Sequence, residues 1–288
     1  MTLSDTTGPV ALASVRQHGR SLRSLPAIAA AVFLAVLAAV SLLAPLLPLD
    51  PTTTDLAARW QPPSAEHLFG TDDLGRDYFA RVVYGGRISL TVGVLAMLAA
   101  TGIGVLVGLV AGYARGWLDE TLMRLVDFLS SIPWMVLVIV ASVFLRPGLW
   151  TIILVIGLFA WMPTARLVRA ETLSLRERTY VGYARFLGEK PRRVVWRHVM
   201  PDAAPTIIVA AAATISSAML TESALSFLGL GIQPPMASWG SLLESAQGAL
   251  ARNPWLALIP GLLIMLTVLS FNVLGDALRR AIVERDDA

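Results

Sequence analysis

Chemistry in this chain would have to come from a short inventory of residues. Three histidines, His18, His67 and His198, fall on different loops or predicted faces, and no H-E-x-x-H or comparable ligand spacing joins them. Cysteine is absent, which excludes disulfides, thiolate catalysis, iron–sulfur clusters and cysteine-ligated zinc. Lys190 is the only lysine and Pro191 follows it, so there is no G-x-x-x-x-G-K-[ST] phosphate loop and the chain is not a P-loop ATPase. No G-x-S-x-G elbow occurs, and no histidine lies in an apolar span to act as a base. No catalytic residue, metal site or cofactor is expected on this chain; it does not read as an enzyme.

Two features remain. The first is Tyr180 to Pro201, YVGYARFLGEKPRRVVWRHVMP, the most strongly charged stretch of the chain. Gly188 suits the left-handed position that ends one short helix, Pro191 suits the first turn of a second, and Pro201 follows its end. Helix, tight turn and helix make a compact knob. Tyr183, Phe186, Val194, Val195 and Trp196 give it an apolar face that needs a partner; the plainer reading is that its basic residues only set membrane orientation. The second feature is Glu222 in SSAMLTESALSFLGLG. A carboxylate in an apolar helix is costly in lipid and points to a function or a polar partner. Together with Ser216 and Met219 on the same helix it forms a candidate translocation or gating set. The alternative is a position near the outer helix end, hydrated or bonded to Ser223 or Ser226.

The elements that position these residues follow from composition. Of 288 residues, 56% are apolar and 15% charged, with mean hydropathy +0.67, against about 25% charged in soluble domains. The apolar runs are continuous rather than alternating, so the expected fold is an all-α integral membrane protein and not a barrel. The net charge of +3 and pI near 9.7 are read as cytoplasmic loop charge, not nucleic-acid contact.

Six spans are expected. Residues 1–24 form a basic N-terminal tail inside the cell, carrying Arg16, Arg20 and Arg23, and the run Leu25 to Leu49 is too long for a signal-peptide core. Asp50 to Arg87 has six acids against four arginines and is placed outside. The second span, Ile88 to Ala111, leads into a stripe of Gly104, Gly108 and Gly112; close helix approach there serves packing within the chain or a subunit interface. The third span runs from Phe128 to Leu145 and the fourth from Leu149 to about Leu167. The segment 166–201 carries nine basic residues against three acids, which places it inside, in agreement with four preceding spans. The fifth span is Ala203 to about Leu230 and the sixth Trp255 to Leu274. Residues 25–275 thus form one six-helix domain, and 276–288 form a cytoplasmic tail.

The loop at 180–201 resembles the EAA coupling motif of bacterial ABC-importer permeases, and its flanks resemble the dipeptide/oligopeptide/nickel subfamily. The similar stretches are FGTDDLGRDYFARVVYGGRISL (Phe69 to Leu90), LDETLMRLVDFLSSIP (Leu118 to Pro133), ESALSFLGLGIQPPMASWGSLL (Glu222 to Leu243) and NPWLALIPGLLIMLTVLSFNVLGDALRRAI (Asn253 to Ile282). Ala184, Gly188 and Pro201 stand where the family has its second alanine, its glycine and its final proline, whereas the usual Glu-Ala opening is Gly182-Tyr183. The resemblance implies a type I importer architecture with both termini cytoplasmic in a bacterial inner membrane. It implies ATPase coupling through Tyr183, Ala184, Gly188, Glu189, Pro191, Arg192, Arg193 and Pro201. It also implies a homologous second permease, two ABC ATPase subunits that hold ATP and magnesium, and an extracytoplasmic substrate-binding protein, with membrane lipid around the helices. Peptides are the expected cargo; nickel chelates, glutathione or another small solute are the alternative. A polytopic membrane enzyme would need a site the sequence lacks, and a channel or secondary transporter would show inverted repeats or several buried charges.

Overall fold

The computed structural model describes residues 24–286, so the N-terminal tail expected at 1–24 lies almost wholly outside the described residues. The described secondary structure is helical apart from one isolated bridge between Thr71 and Asp77. Five helices are long and apolar enough to cross a membrane, or six if one bent pair counts as a single span.

The first helix, α1 (Leu25–Leu43), has Pro26 in its opening turn, where no N–H is needed, and tightens into a 3-10 turn at Ala44–Leu46 around Pro45. Helix α2 (Tyr78–Ala114) begins ten residues before the expected Ile88. Asp77 caps it, accepting the Ala80 amide at 2.7 Å. The early start was hidden because Arg81 and Arg87 lower the local hydropathy, yet Arg81 is buried and paired with Asp72. The polar segment between α1 and α2, expected outside, is shorter by the same ten residues.

The third span is a broken element. Helix α3 (Gly116–Ser131) and helix α4 (Trp134–Phe144) meet at 78° across Ile132 and Pro133. Pro133 cannot continue α3 and disfavours helical geometry at Ile132, which is extended. With 11 residues, α4 reaches only about 16 Å of the roughly 30 Å hydrocarbon core. The fourth span, Leu149–Arg176, is a single span of 28 residues with a two-residue interruption at Ala160 and Trp161 between α5 (Leu149–Phe159) and α6 (Met162–Arg176), and Pro163 lies in the first turn of α6. The helix therefore continues well past the expected Leu167, and the basic loop proper starts after Arg176.

Helix α7 (Thr179–Phe186) ends at Gly188, and α8 (Pro191–Val194) passes through a π turn at Val195–Val199 into α9 (Met200–Asp202). Pro201 was expected to follow the end of the second knob helix; it lies instead inside this helical continuation. In the π turn the Met200 amide bonds back to the Val195 carbonyl, five residues earlier. The widened turn makes room for a ring that would otherwise strike the carbonyl four residues back. After α10 (Ala204–Phe227), a capping box of Ser238 and Ser241 starts α11 (Trp239–Ala246). Helix α12 (Trp255–Asp286) runs twelve residues past the expected end of the sixth span, so the C-terminal tail is largely helix.

Helix α2 is the central post, packed against α1, α5, α6 and α10, while α10 also lies along α12. The glycine stripe faces α6 of the same chain. A Cβ on Gly104 would sit 2.7 Å from Thr164 Cβ, one on Gly108 2.7 Å from the Ala165 carbonyl, and one on Gly112 2.7 Å from Thr172 Cβ. Three missing side chains at a four-residue interval let the two backbones meet.

Candidate functional site: a knob, a buried carboxylate and a cleft at the helix breaks

The knob is built on a helix stop that the sequence signals directly. Gly188 has φ of +78°, its amide donates to the Arg185 carbonyl at 3.0 Å, and the Glu189 amide donates to the Ala184 carbonyl at 3.1 Å. This paired 5→2 and 6→1 pattern caps α7 and turns the chain sharply toward α8. His198 then approaches Glu189 at 3.2 Å and clasps the hairpin. Burial raises the Tyr180 hydroxyl to about 12, helped by Asp202, whose carboxylate accepts its hydrogen bond and ties the knob to the foot of α10.

The expected knob residues separate into two sets. Val181, Ala184, Val194 and Val199 are buried in one cluster with Val105 and Leu109 of α2 and Val168 and Leu175 of α6. Val194, expected on the docking face, belongs to this core, and Ala184 packs rather than docks. The open face carries Phe186 (87% exposed), Leu187, Tyr183 (66%) and Trp196, with Pro191, Arg192, Arg193 and Pro201 also exposed. Beside Tyr183 an open groove of about 480 Å³ runs between Arg176, Arg178, Arg185 and Phe186. Gly182 lines it, and a Cβ there would meet nothing within 4 Å. The position where the resembled family has its acid is thus an accessible gap in a rim of three arginines and one acid, Glu177, which pairs with Arg115.

Glu222 is fully buried, so it is not hydrated at a helix end. Its Oε2 accepts the Ser89 hydroxyl of α2 at 3.1 Å and its Oε1 the Ser226 hydroxyl at 2.8 Å. Ser89 Oγ in turn accepts the Trp239 amide at 3.1 Å, and the Trp239 indole N–H donates to the Val82 carbonyl at 3.0 Å. The ring lies over Gly86, where a Cβ would be 2.9 Å away. Ser226 was one of the two partners expected; Ser223 has a buried hydroxyl without a partner. Ser89 and Trp239 were missed, and the only signal was a hydroxyl in an otherwise apolar run. Met219 packs in the core beside Trp239, and Ser216 bonds to the Ala212 carbonyl at 2.9 Å. The set Ser216, Met219 and Glu222 is therefore an inward-facing seam of α10 and does not line open space.

Open space lies a quarter-turn away. A cleft of about 330 Å³ is bounded by Ser130, Pro133, Trp134, Ala160, Pro163, Arg166 and Ser217. An adjoining one of about 220 Å³ shares Ala160, Pro163 and Ser217 and reaches Thr164 and Thr214, whose hydroxyls are 3.5 Å apart. Arg166 donates to Asp127 Oδ1 at 2.8 Å, and Arg169 grips Asp119 with two bonds of 2.5 and 2.7 Å. These two pairs fasten α3 to α6 and hold the breaks opposite each other. No group of three or more potential metal ligands occurs among the described residues.

Residues 104–285, from the glycine stripe through the knob to the end of α12, match the model of the binding-protein-dependent transport system inner membrane component family. The chain belongs to this family. Its relatives include the oligopeptide transport system permease protein OppC of Bacillus subtilis, 41% identical over 81% of this chain and 76% of the relative. The glutathione transport system permease protein GsiD of Pectobacterium atrosepticum is 39% identical over 91% and 88%, and a putative peptide permease of Brucella suis is 39% identical over 96% and 91%. Among solved structures, the inward-facing MetNI methionine ABC transporter covers 71% of this chain and 97% of its own, with TM-score 0.62 and 21% identity, which establishes a shared fold.

In this permease the Phe69 to Leu90 stretch folds into a tight polar knot around Asp72. Asp72 accepts from Arg76 Nε at 2.7 Å and from Arg81, and the Arg76 and Leu74 amides reach its other oxygen at 3.0 and 2.8 Å. Tyr78 bonds to the Leu256 carbonyl and Asn253 to that of Trp60, at 3.3 Å, so the knot also ties the start of α12. Burial raises the Asp72 carboxyl, but the Arg81 charge and these donors outweigh it and leave it below the ordinary carboxylate range.

Proposed function

We propose that this permease is one of two homologous membrane subunits of an ABC importer for di- or oligopeptides. In this reading two separate ATPase subunits, which carry the ATP and magnesium, dock on the knobs, and an extracytoplasmic binding protein delivers solute to the opposite face. The permease itself holds no cofactor and breaks no covalent bond. The observation that carries the reading is the knob's construction: exposed apolar side chains of Tyr183, Phe186, Leu187 and Trp196, backed by a core continuous with α2 and α6. An apolar face of this kind on a charged loop is an interaction surface, and its continuity with two spans makes it a lever. A displacement of α7, which bears Phe186, is passed through Val181 and Ala184 to Val168 and Leu109, because packed interiors move as units.

The peptide cargo is supported by the names of the relatives, which include oligopeptide and dipeptide permeases. The GsiD relative favours glutathione, itself a tripeptide, as a second reading. The test is reconstitution of the full complex in vesicles with its binding protein. ATP-dependent uptake of labelled dipeptides is expected, and Phe186→Ala should reduce ATPase docking and uptake while leaving membrane insertion intact. Full uptake by Phe186→Ala would remove the lever; uptake of glutathione in preference to dipeptides would support the second reading.

A further inference from the structure

The two helix breaks face each other across the same cleft. Ile132 and Pro133 separate α3 from α4 at 78°, and Ala160 and Trp161 separate α5 from α6. Irregular backbone at membrane depth is stable only where it is buried in protein or lines a water-filled space, because lipid offers no hydrogen bonds. Ser131 satisfies one freed carbonyl of α3, that of Phe128, at 2.7 Å, and Ser130, Ile132 and Pro133 line the cleft. Met162 and Pro163, in the first turn of α6, lie among the lining residues as well.

The charges at the cleft point to water rather than lipid. Arg166 and Asp127 form their pair with side chains 48% and 68% exposed, and two such open charges facing hydrocarbon would be expensive. Arg166 uses one Nη2 donor on Asp127, so most of the guanidinium fork stays free for a planar anion. On α10, Ser217 lies near the middle of the 24-residue helix and is exposed, whereas Ser216, Met219 and Glu222 are buried. The main cleft, at about 330 Å³, matches the lower end of ligand-sized cavities, roughly 300–1,000 Å³.

We propose that this cleft is the permease's own solute site, in which Arg166 holds a carboxylate of the passing solute while Ser130 and Ser217 form the wetted wall. The proposal rests on the importer reading and assigns its pathway to the face formed by the two breaks and not to the Glu222 seam. Ser130 Oγ lies 3.4 Å from Met162 Sδ, a weak contact that a solute polar group replaces at little cost. A carboxylate held by the guanidinium fork gains charge-assisted bonds that an amide does not.

Because the natural chain contains no cysteine, single cysteines can be read in the intact reconstituted complex, given partners whose own thiols are removed. Ser217→Cys and Ser130→Cys are expected to react with a charged, membrane-impermeant thiosulfonate, and Ser216→Cys to remain unreactive. A dipeptide should slow labelling of Ser217→Cys, and its C-terminal amide should not. Adding Arg166→Gln should raise the dipeptide concentration for half-protection about tenfold, the loss of one charge-assisted bond, with Arg166→Lys intermediate. Equal labelling at 216 and 217, or equal protection by acid and amide, overturns the proposal. Uptake by the unlabelled wild-type complex is a separate readout: its absence sinks the importer reading while the labelling pattern still decides whether the cleft is wet and binds a carboxylate.

Discussion

Ser89 of α2 donates to Glu222 of α10 at 3.1 Å and accepts the Trp239 amide at the same distance. One hydroxyl thus joins a central span, the helix bearing the buried acid and the outer helix α11. The arrangement gives Glu222 a structural role: it gathers donors at a three-way junction. Glu222→Ala should leave the Ser89 and Ser226 hydroxyls short of a partner in a dry site, at about 1–3 kcal/mol each before relaxation. Glu222→Gln keeps the shape and one acceptor and should lose less. Thermal unfolding of the purified permease in detergent checks the order, wild type above Gln above Ala.

The stripe along α2 makes a paired comparison possible. Gly108→Ala would place a methyl 2.7 Å from the Ala165 carbonyl and 2.8 Å from Val168 Cβ, a clash of the kind that costs about 1–3 kcal/mol. Gly102→Ala, on the same helix, meets nothing within 4 Å and should be neutral or slightly stabilising. Equal melting temperatures for the two variants would show that α2 and α6 do not approach as described.

Gly188 has open space around its missing Cβ, so its requirement is conformational and not steric. At φ of +78° a β-branched residue is strained, by roughly 1–2 kcal/mol or more, while asparagine tolerates the left-handed region. Gly188→Val should insert normally yet uncouple ATP hydrolysis from uptake, and Gly188→Asn should retain most coupling. The ratio of ATP hydrolysed to solute imported in reconstituted vesicles measures both.

The knot around Asp72 predicts an acid limb. Asp72 is held below its ordinary value, so the unfolded chain binds a proton first as pH falls, and the stability it supplies is present above about pH 4 and fades as pH drops through the lower native value. Asp72→Asn should lack this limb. It should also be less stable at pH 7 by about 3–5 kcal/mol, the cost of leaving buried Arg81 without its carboxylate. Melting curves at pH 7 and pH 3 distinguish the two chains.

Much of the fold was legible because the membrane imposes simple demands on sequence. Continuous apolar runs marked six expected spans, five of which are single long apolar helices and one a bent pair, and the Gly188 and Pro191 spacing marked the knob. Two features were hidden by pairing and backbone geometry that residue types do not carry. Arg81 concealed the start of α2 because its partner Asp72 precedes the helix, and Pro201 looked like a stop because a π turn cannot be read from residue types.

The sequence by itself determined that this is a helical membrane protein, that the basic loop is a capped hairpin, and that Glu222 is anomalous. Those conclusions rest on local or compositional properties. Only the tertiary structure decided that Glu222 meets Ser89, 133 residues away, that Val194 is core while Phe186 is surface, and that the breaks at Pro133 and Ala160 share one cleft. The physical reason is common to all three: a helix fixes which residues share a face, but which face meets a neighbour depends on how the spans pack together.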